Sequence, residues 1–156
     1  MKLLMDADCL IKIAKAGIKE PVVVYFDVTI PKIVEREVVA DGKDRNCADA
    51  FIVEKNITGK VISVLKGKKR FKSGDEALSI LFKKEKFDAV ATDDAKLIRR
   101  LKAGNIPFMV PGVILYQMAV DRIFNLKQAL TALDRLSEFI SEEESTAVRL
   151  LMEALK

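Results

Sequence analysis

Apolar residues are grouped in two ways along the chain. In some stretches they form short unbroken runs, and in others they recur every three or four residues. Unbroken runs bounded by polar residues predict buried strands, whereas the wider spacing predicts amphipathic helices. The predicted strands lie near residues 2–5, 28–30, 60–65, 89–92 and 107–110. Because helical stretches separate them, we predict an α/β protein with a three-layer α/β/α arrangement around a central parallel sheet.

The C-terminal part of the chain is predicted to be helical. Helical spacing extends over residues 113–123, 126–136 and 142–155. Ser141 and Glu144 match the capping-box pattern at the start of the last helix. The sequence contains no internal repeat and no low-complexity segment. We therefore expect one domain at residues 1–123, with residues 124–156 forming a helical tail packed on the same domain.

An uncharged stretch at residues 103–120 resembles a membrane span in length. Pro107, Pro111 and two glycines interrupt it, so a strand, a turn and a helix are predicted instead. Asp6 interrupts the first apolar run too early for a signal peptide. The two cysteines do not suggest a disulfide framework. We expect a cytoplasmic protein with no membrane segment.

Composition restricts the available chemistry. The 156 residues include no histidine, which excludes Ser-His-Asp and Cys-His catalysis and histidine-bound zinc. Two cysteines are too few for a four-thiolate zinc centre. An enzyme of this composition must use carboxylates, lysines, hydroxyls or a metal ion held by oxygen ligands. The formal charge of +4 permits a polyanionic partner without requiring one.

Carboxylates follow two of the predicted strands. In a parallel sheet such positions meet in the crevice at the carboxyl ends of the strands. Asp6 follows the first strand, and Asp8 directly precedes the first helix, so we expect Asp8 to cap that helix and Asp6 to be free for chemistry. Asp93 and Asp94 follow the strand at 89–92. One of this pair is expected to cap the next helix, which leaves the other without a structural role.

Two further carboxylate positions lie at predicted helices. In the helix that begins at Pro31, Glu37 projects into the apolar arc and is expected to be buried, with either a cationic side chain or a metal as its partner. Asp75 and Glu76 occupy the first turn of the helix capped by Ser73, where acidic residues favour the helix dipole. Glu76 also completes a capping box, yet it lies at the edge of the apolar face and can equally point into a crevice.

Basic residues flank the acidic candidates. The basic loop, residues 66–72, contains one aromatic residue, and a second basic face lies on the helix after Asp94. Lys and Arg supply sequence-independent contacts to phosphate, and Phe71 can stack on an unpaired base. The alternative for both segments is ordinary solvated surface, which is the more common role of such residues. The candidates for RNA contact are Lys12, on the predicted outer face of the first helix with Lys15 and Lys19, and Lys68, Lys69, Arg70, Phe71, Lys96 and Arg99.

Four segments in order, residues 5–11, 30–39, 74–80 and 91–97, resemble the motifs of PIN-domain nucleases over nearly the whole chain. The form is similar to VapC-like toxins with a C-terminal helical tail. By this resemblance, the acidic residues of the motifs are Asp6, Glu37, Glu76 and either Asp93 or Asp94. The chain departs from the family pattern at Asp8, where Ser, Thr or Asn is usual, and in the third motif, which is one residue shorter and leaves Asp75 as an alternative to Glu76.

The resemblance implies a Mg²⁺- or Mn²⁺-dependent endoribonuclease. Its catalytic and metal-binding residues would be Asp6, Glu37, Glu76, Asp93 and Asp94. Clustered carboxylates repel one another, so at least one pKa is expected to be raised without metal. The resemblance to the toxins also implies a homodimer and a small antitoxin that blocks the site; a stand-alone RNA-processing nuclease is the alternative. The alternatives are a haloacid-dehalogenase-type phosphatase, with Asp6 as nucleophile and the Asp93–Asp94 pair on magnesium, and a catalytically inactive RNA-binding PIN module.

Overall fold

The computed structural model describes residues 1–40, 53, 54, 57, 59, 61–65, 71 and 73–155. The strands are β1 (Lys2–Met5), β2 (Asp27–Pro31), β3 (Ser63–Leu65), β4 (Ala89–Ala91) and β5 (Phe108–Met109). The helices are α1 (Ala7–Lys15), α2 (Lys19–Tyr25), α3 (Lys32–Glu35), α4 (Gly74–Lys84), α5 (Ala95–Ala103), α6 (Pro111–Val120), α7 (Leu126–Leu136) and α8 (Glu142–Glu153). A π-helical turn at Arg36–Ala40 continues α3.

The described strands form one parallel sheet in the order β3-β2-β1-β4-β5. From β1 the chain moves outwards through β2 to β3, then crosses back to β4 and continues outwards on the other side to β5. The direction of winding therefore reverses between β1 and β4. In open parallel sheets, this reversal creates a crevice at the carboxyl ends of the two strands.

Both faces of the sheet are covered. Leu3 and Met5 of β1 belong to one apolar core, whereas Leu4 between them belongs to a second core on the opposite face. β4 repeats this alternation, with Val90 in the second core. Strands covered on both faces have nearly continuous apolar sequences, which explains the unbroken runs. The predicted three-layer α/β/α arrangement is confirmed.

The C-terminal helices share the first core. Leu133 of α7 and Val148 of α8 are buried in the same cluster as Leu3 of the central strand. α8 also packs against α6, whose N-terminal turn lies beside Val148. The tail at residues 124–155 thus lies on the face of the sheet that α1 and α2 also cover.

The stretch at residues 103–120 forms the end of α5, the strand β5 and the helix α6, as the interrupting prolines predict. Across the described ranges, no helix is both long and apolar enough to cross a bilayer. The helix predicted to begin at Pro31 starts one residue later, because Pro31 ends β2 and occupies the N-cap position of α3.

Candidate active site

A cavity of about 250 Å³ opens at the carboxyl edge of the sheet, beside the reversal between β1 and β4. We call it the acidic cavity, because five carboxylate residues line it: Asp6, Asp8, Glu37, Asp75 and Asp94. They come from the ends of β1 and β4, from the segment after β2 and from the start of α4. The convergence follows from the parallel sheet, which brings strand ends to one edge.

Asp6 is the most buried of these residues and caps α1. Its exposure is 7%, and its backbone is extended, so that the helix begins directly at Ala7. Its Oδ1 accepts a 2.7 Å hydrogen bond from the Cys9 N–H. The prediction that Asp8 caps this helix is therefore wrong. The chain turns into the helix immediately after the strand, which places Asp8 in the exposed first turn and on the wall of the acidic cavity.

Burial raises the pKa of Asp6 from 3.8 to about 7. The Thr92 and Cys9 hydrogen bonds lower this pKa, whereas the charges of Asp93 and Asp8 raise it further by smaller amounts. The expectation that one pKa is raised is confirmed, but its largest cause is burial and not repulsion between carboxylates. Asp6 is thus a carboxyl group whose negative charge the fold only partly compensates.

Thr92 is a residue of this site that the sequence did not single out. It is fully buried, and its hydroxyl donates to Asp6 Oδ2 while accepting a 3.1 Å hydrogen bond from the Asp94 N–H. It thereby connects the ends of β1 and β4 and fixes the orientation of the Asp6 carboxyl group. A hydroxyl side chain at the end of the otherwise apolar run Ala89–Ala91 was the signal in the sequence.

The tandem aspartates have different positions. Asp94 caps α5, since its Oδ1 accepts a 2.6 Å hydrogen bond from the Leu97 N–H, and it also lines the acidic cavity. Asp93 is not among the described residues that line this cavity. Its carboxylate forms an ion pair with the Lys12 ammonium instead. The expectation that the non-capping aspartate lacks a structural role is therefore wrong.

Glu37 reaches the acidic cavity from an exposed position, so its predicted burial is wrong. The π-helical turn at Arg36–Ala40 is the physical reason, because it has more residues per turn than an α-helix and rotates Glu37 out of the apolar arc. The side chain nevertheless faces α4. A Cβ atom added to Gly74 would lie 3.3 Å from Glu37 Oε2, so the missing side chain of Gly74 leaves room for this carboxylate.

Asp75 and Glu76, like the tandem aspartates, differ in whether they line the acidic cavity. Of this pair, Asp75 lines the acidic cavity and Glu76 does not. The Glu76 N–H donates to Ser73 Oγ over 3.3 Å, which confirms Ser73 as the helix cap. Asp75 Oδ2 lies 3.7 Å from the guanidinium of Arg100, a residue of α5. Of the two residues that the shorter third motif leaves open, Asp75 is therefore the one at the wall of the acidic cavity.

The predicted RNA-contact residues are divided between core, surface and the undescribed part of the chain. Lys12 is half-buried, and Lys19 is buried with its Nζ 3.1 Å from Glu20 Oε1, so neither lies on an outer face as predicted. Phe71 is half-buried against the second core. Lys96 and Arg99 are exposed on α5, directly after Asp94. Lys68, Lys69 and Arg70 of the basic loop lie outside the described residues.

Glu144, predicted only as part of a capping box, is a second residue with an additional contact. Ser141 accepts from the Glu144 N–H over 3.1 Å, as predicted, but the Glu144 carboxylate reaches α6 and accepts a 2.7 Å hydrogen bond from the Gly112 N–H. Burial raises the pKa of Glu144, and the charge of Asp93 raises it further. The helical tail therefore brings a carboxylate towards the Lys12–Asp93 pair.

The carboxylates of the acidic cavity do not form a finished metal centre. In the part of the chain that the structure describes, no three acidic or thiol side chains converge closely enough to hold a metal ion. Asp6 is fixed by two hydrogen bonds, and Asp94 is fixed by its helix cap. Asp8 and Glu37 are exposed, and Asp75 is partly exposed and lies beside Arg100. A metal would bind here only after some of these side chains change rotamer.

Comparisons with protein-family models, with curated proteins and with solved structures gave no match for this chain. Membership of the PIN-domain family therefore stays a prediction from the sequence motifs. The chemistry of the acidic cavity has to be inferred from its own residues, whose common property is oxygen donors around the poorly compensated charge of Asp6.

Proposed function

We propose that the chain is a divalent-metal-dependent endoribonuclease whose active site is the acidic cavity. The observation that carries the proposal is the position of Asp6, buried at the winding reversal of a parallel sheet with four other carboxylates around the same cavity. A buried carboxylate with a raised pKa, located in a cleft, is a typical functional group. A bound cation would compensate the charge that the fold leaves on Asp6.

The donor set suits Mg²⁺ or Mn²⁺, both of which prefer oxygen ligands. Asp6 and Asp94 would hold the ion from the strand ends, and Glu37 and Asp75 would complete the set. Each Asp6 oxygen accepts one hydrogen bond and retains a second lone pair, so capping the helix does not prevent ligation. An ion held by these residues would supply charge stabilisation to a phosphodiester during hydrolysis.

The residues of the chain have distinct tasks in this proposal. Thr92 holds the Asp6 carboxyl in one orientation, which keeps the most buried ligand fixed while the exposed Glu37 adjusts. Arg100 lies beside Asp75, which lines the cavity, and Lys96 and Arg99 belong to the same helix as Arg100. In this proposal these cations would bind phosphates next to the cleaved one, which favours a polyanionic substrate such as RNA over a small phosphate ester.

The test is cleavage of single-stranded RNA by the purified protein. Mn²⁺ or Mg²⁺ is expected to support cleavage, and a chelator is expected to abolish it. Asp6→Asn and Glu37→Gln should reduce cleavage to the level of a protein-free sample without unfolding the chain. Glu153→Gln is the matched control, because it removes an exposed carboxylate on α8 that does not line the acidic cavity. Full cleavage by both site variants would reject the proposed site.

A phosphatase of the haloacid-dehalogenase type is the second candidate. It is favoured by Asp8, which lines the same cavity as Asp6 and is exposed. Hydrolysis of p-nitrophenyl phosphate, with RNA left intact, would select this reaction. A role as the toxin of a toxin–antitoxin pair, with a homodimer and a small antitoxin, rests on the sequence resemblance alone. Growth arrest on expression that requires Asp6 would support that role.

A further inference from the structure

Lys12 has carboxylates from different parts of the chain around it. It belongs to α1, and its ammonium pairs with Asp93, which follows β4. The side chains of Lys12 and Asp93 are 28% and 12% exposed, so the pair is largely shielded from water. An ion pair in this environment is screened far less than one at the surface, and it fixes both side chains.

The adjacent residues Asp93 and Asp94 have different surroundings. Asp94 lines the acidic cavity, whereas Asp93, only one residue away, does not and instead pairs with Lys12. The Lys12 pKa is lowered by partial burial and raised, with a net increase, by the hydrogen bond and charge of Asp93, together with the charges of Asp8 and Asp6. Lys12 is therefore held as a cation by the carboxylates around it.

The helical tail adds a fourth carboxylate near Lys12, that of Glu144. Glu144 is anchored to the Gly112 N–H, and the charges of both Asp93 and Lys12 act on it. Without the Lys12 ammonium, Asp93 would lie near Glu144 and Asp6 with no compensating charge from this lysine. Carboxylates in that position attract either a proton or a cation.

We propose that Lys12 is a positioning residue whose ammonium holds the Asp93 carboxylate outside the acidic cavity, so that Asp93 takes no part in holding a divalent cation there. The inference rests on the proposed function, since it assigns the ligands of the same site. It selects Asp94 from the tandem pair and gives Lys12 a task other than RNA contact.

The test is Mn²⁺ binding to the full-length protein, measured by isothermal titration calorimetry. Lys12→Met removes the charge but keeps the length of the side chain, and it should increase the apparent Mn²⁺ affinity roughly tenfold, the scale on which residues around a metal site act. Lys12→Met combined with Asp93→Asn removes a neutral pair and should bind Mn²⁺ within about threefold of the wild type. Lys12→Arg retains the ion pair and should behave as the wild type does.

Lys15→Met is the matched control for net charge. Lys15 lies on the same helix, is exposed and is positioned over the Phe139 ring, so its loss changes the charge equally without releasing Asp93. Its Mn²⁺ affinity should change less than twofold. Circular dichroism melting checks that each variant is folded. If the single Lys12 variant does not fold, the double variant, in which no carboxylate at position 93 is left unpaired, still provides the decisive measurement.

The outcomes separate this inference from the proposed function. Unchanged Mn²⁺ affinity in Lys12→Met overturns the inference, because the loss of Lys12 would then have no effect on metal binding. A tenfold loss of affinity in the double variant also overturns it, because Asp93 would then be a ligand. RNA cleavage can still occur in that case. If the wild type neither binds Mn²⁺ nor cleaves RNA while Lys12→Met binds Mn²⁺ through Asp93, the proposed function fails and the role of Lys12 stands. If neither protein binds Mn²⁺, both fail.

Discussion

The buried carboxyl of Asp6 makes the stability of the metal-free protein depend on pH. Its pKa is about 7 in the folded protein and 3.8 as a free side chain, so folding takes up a proton between these values. The contribution of Asp6 to the free energy of unfolding is therefore most favourable below pH 4. It becomes less favourable as the pH rises from 4 towards 7. Above pH 7 the penalty is complete, on the order of 4 kcal/mol at 1.36 kcal/mol per pKa unit.

Asp6→Asn is expected to remove this dependence. Asparagine is also a good N-cap, so its amide oxygen can still accept from Cys9. In chelator, the stability of the variant relative to the wild type should increase between pH 5 and pH 8 by roughly 3 kcal/mol, which corresponds to about two pKa units. Urea unfolding at both pH values measures the difference. An identical difference at pH 5 and pH 8 would mean that Asp6 is not the titrating group.

Gly74 provides a second prediction for a single residue. A Cβ at this position would lie 3.3 Å from Glu37 Oε2 and 3.6 Å from Val34 Cγ2. Alanine favours a helix over glycine by about 1 kcal/mol in a helix interior and by less at the first helical position, which Gly74 occupies, and the Glu37 side chain is exposed enough to shift. Gly74→Ala should therefore leave stability equal or slightly increased while weakening Mn²⁺ binding severalfold. Urea unfolding and calorimetry, compared with Gly104→Ala, test both parts; unchanged Mn²⁺ binding would show that the added methyl group does not disturb the position of Glu37.

At the scale of whole elements, the ends of a helix could be predicted from the sequence where residues close together in the chain form its cap. The helix predicted at 126–136 is found at Leu126–Leu136, where Asn125 and Gln128 form a reciprocal capping box. The segment after Pro31 could not be predicted in this way. It changes from α3 to a π-helical turn, and the i→i+5 hydrogen bonds of such a turn produce no recognisable period in the sequence. The same change moved Glu37 from the predicted core to the rim of the acidic cavity.

The contact between α6 and α8 depends on one glycine. A Cβ on Gly112 would lie 2.9 Å from Val148 Cγ2 and 3.0 Å from Glu144 Oε1, closer than packed atoms normally approach. Gly112→Ala should push α8 away and destabilise the protein by about 1–3 kcal/mol, the usual cost of overpacking. Urea unfolding measures the loss, and the milder Gly74→Ala variant is the control. Equal stability of the two variants would show that α8 adjusts without cost.

At the scale of the whole molecule, the meeting place of the carboxylates was predictable but their pairings were not. Parallel strands bring Asp6 and Asp94 to one edge whatever the detailed packing, so the residue types and their order were sufficient. The Lys12–Asp93 pair joins residues 81 positions apart. It depends on how closely α1 lies to the end of β4, which a sequence period does not specify. The role of Thr92 depends on the same long-range packing.

The cations of α5 give the last prediction, which concerns RNA binding by the intact molecule. Lys96 and Arg99 are exposed on the helix that Asp94 caps, so a strand crossing the acidic cavity would pass beside them. In an Asp6→Asn background that prevents cleavage, replacing both by glutamine should weaken binding to labelled single-stranded RNA. The slope of log affinity against log salt should also fall by about 1.4, or 0.7 for each lost phosphate contact.

Fluorescence anisotropy at several salt concentrations provides this measurement. The matched control replaces Lys83 and Lys84 by glutamine, because these are two exposed cations at the far end of α4 and the net charge changes equally. This control should leave the salt slope unchanged, since long-range charge alone forms no phosphate contact. If both pairs of substitutions lower the slope equally, RNA is attracted by net charge and does not follow α5. A fall confined to the α5 pair would place the path of the RNA beside Asp94 and Arg100.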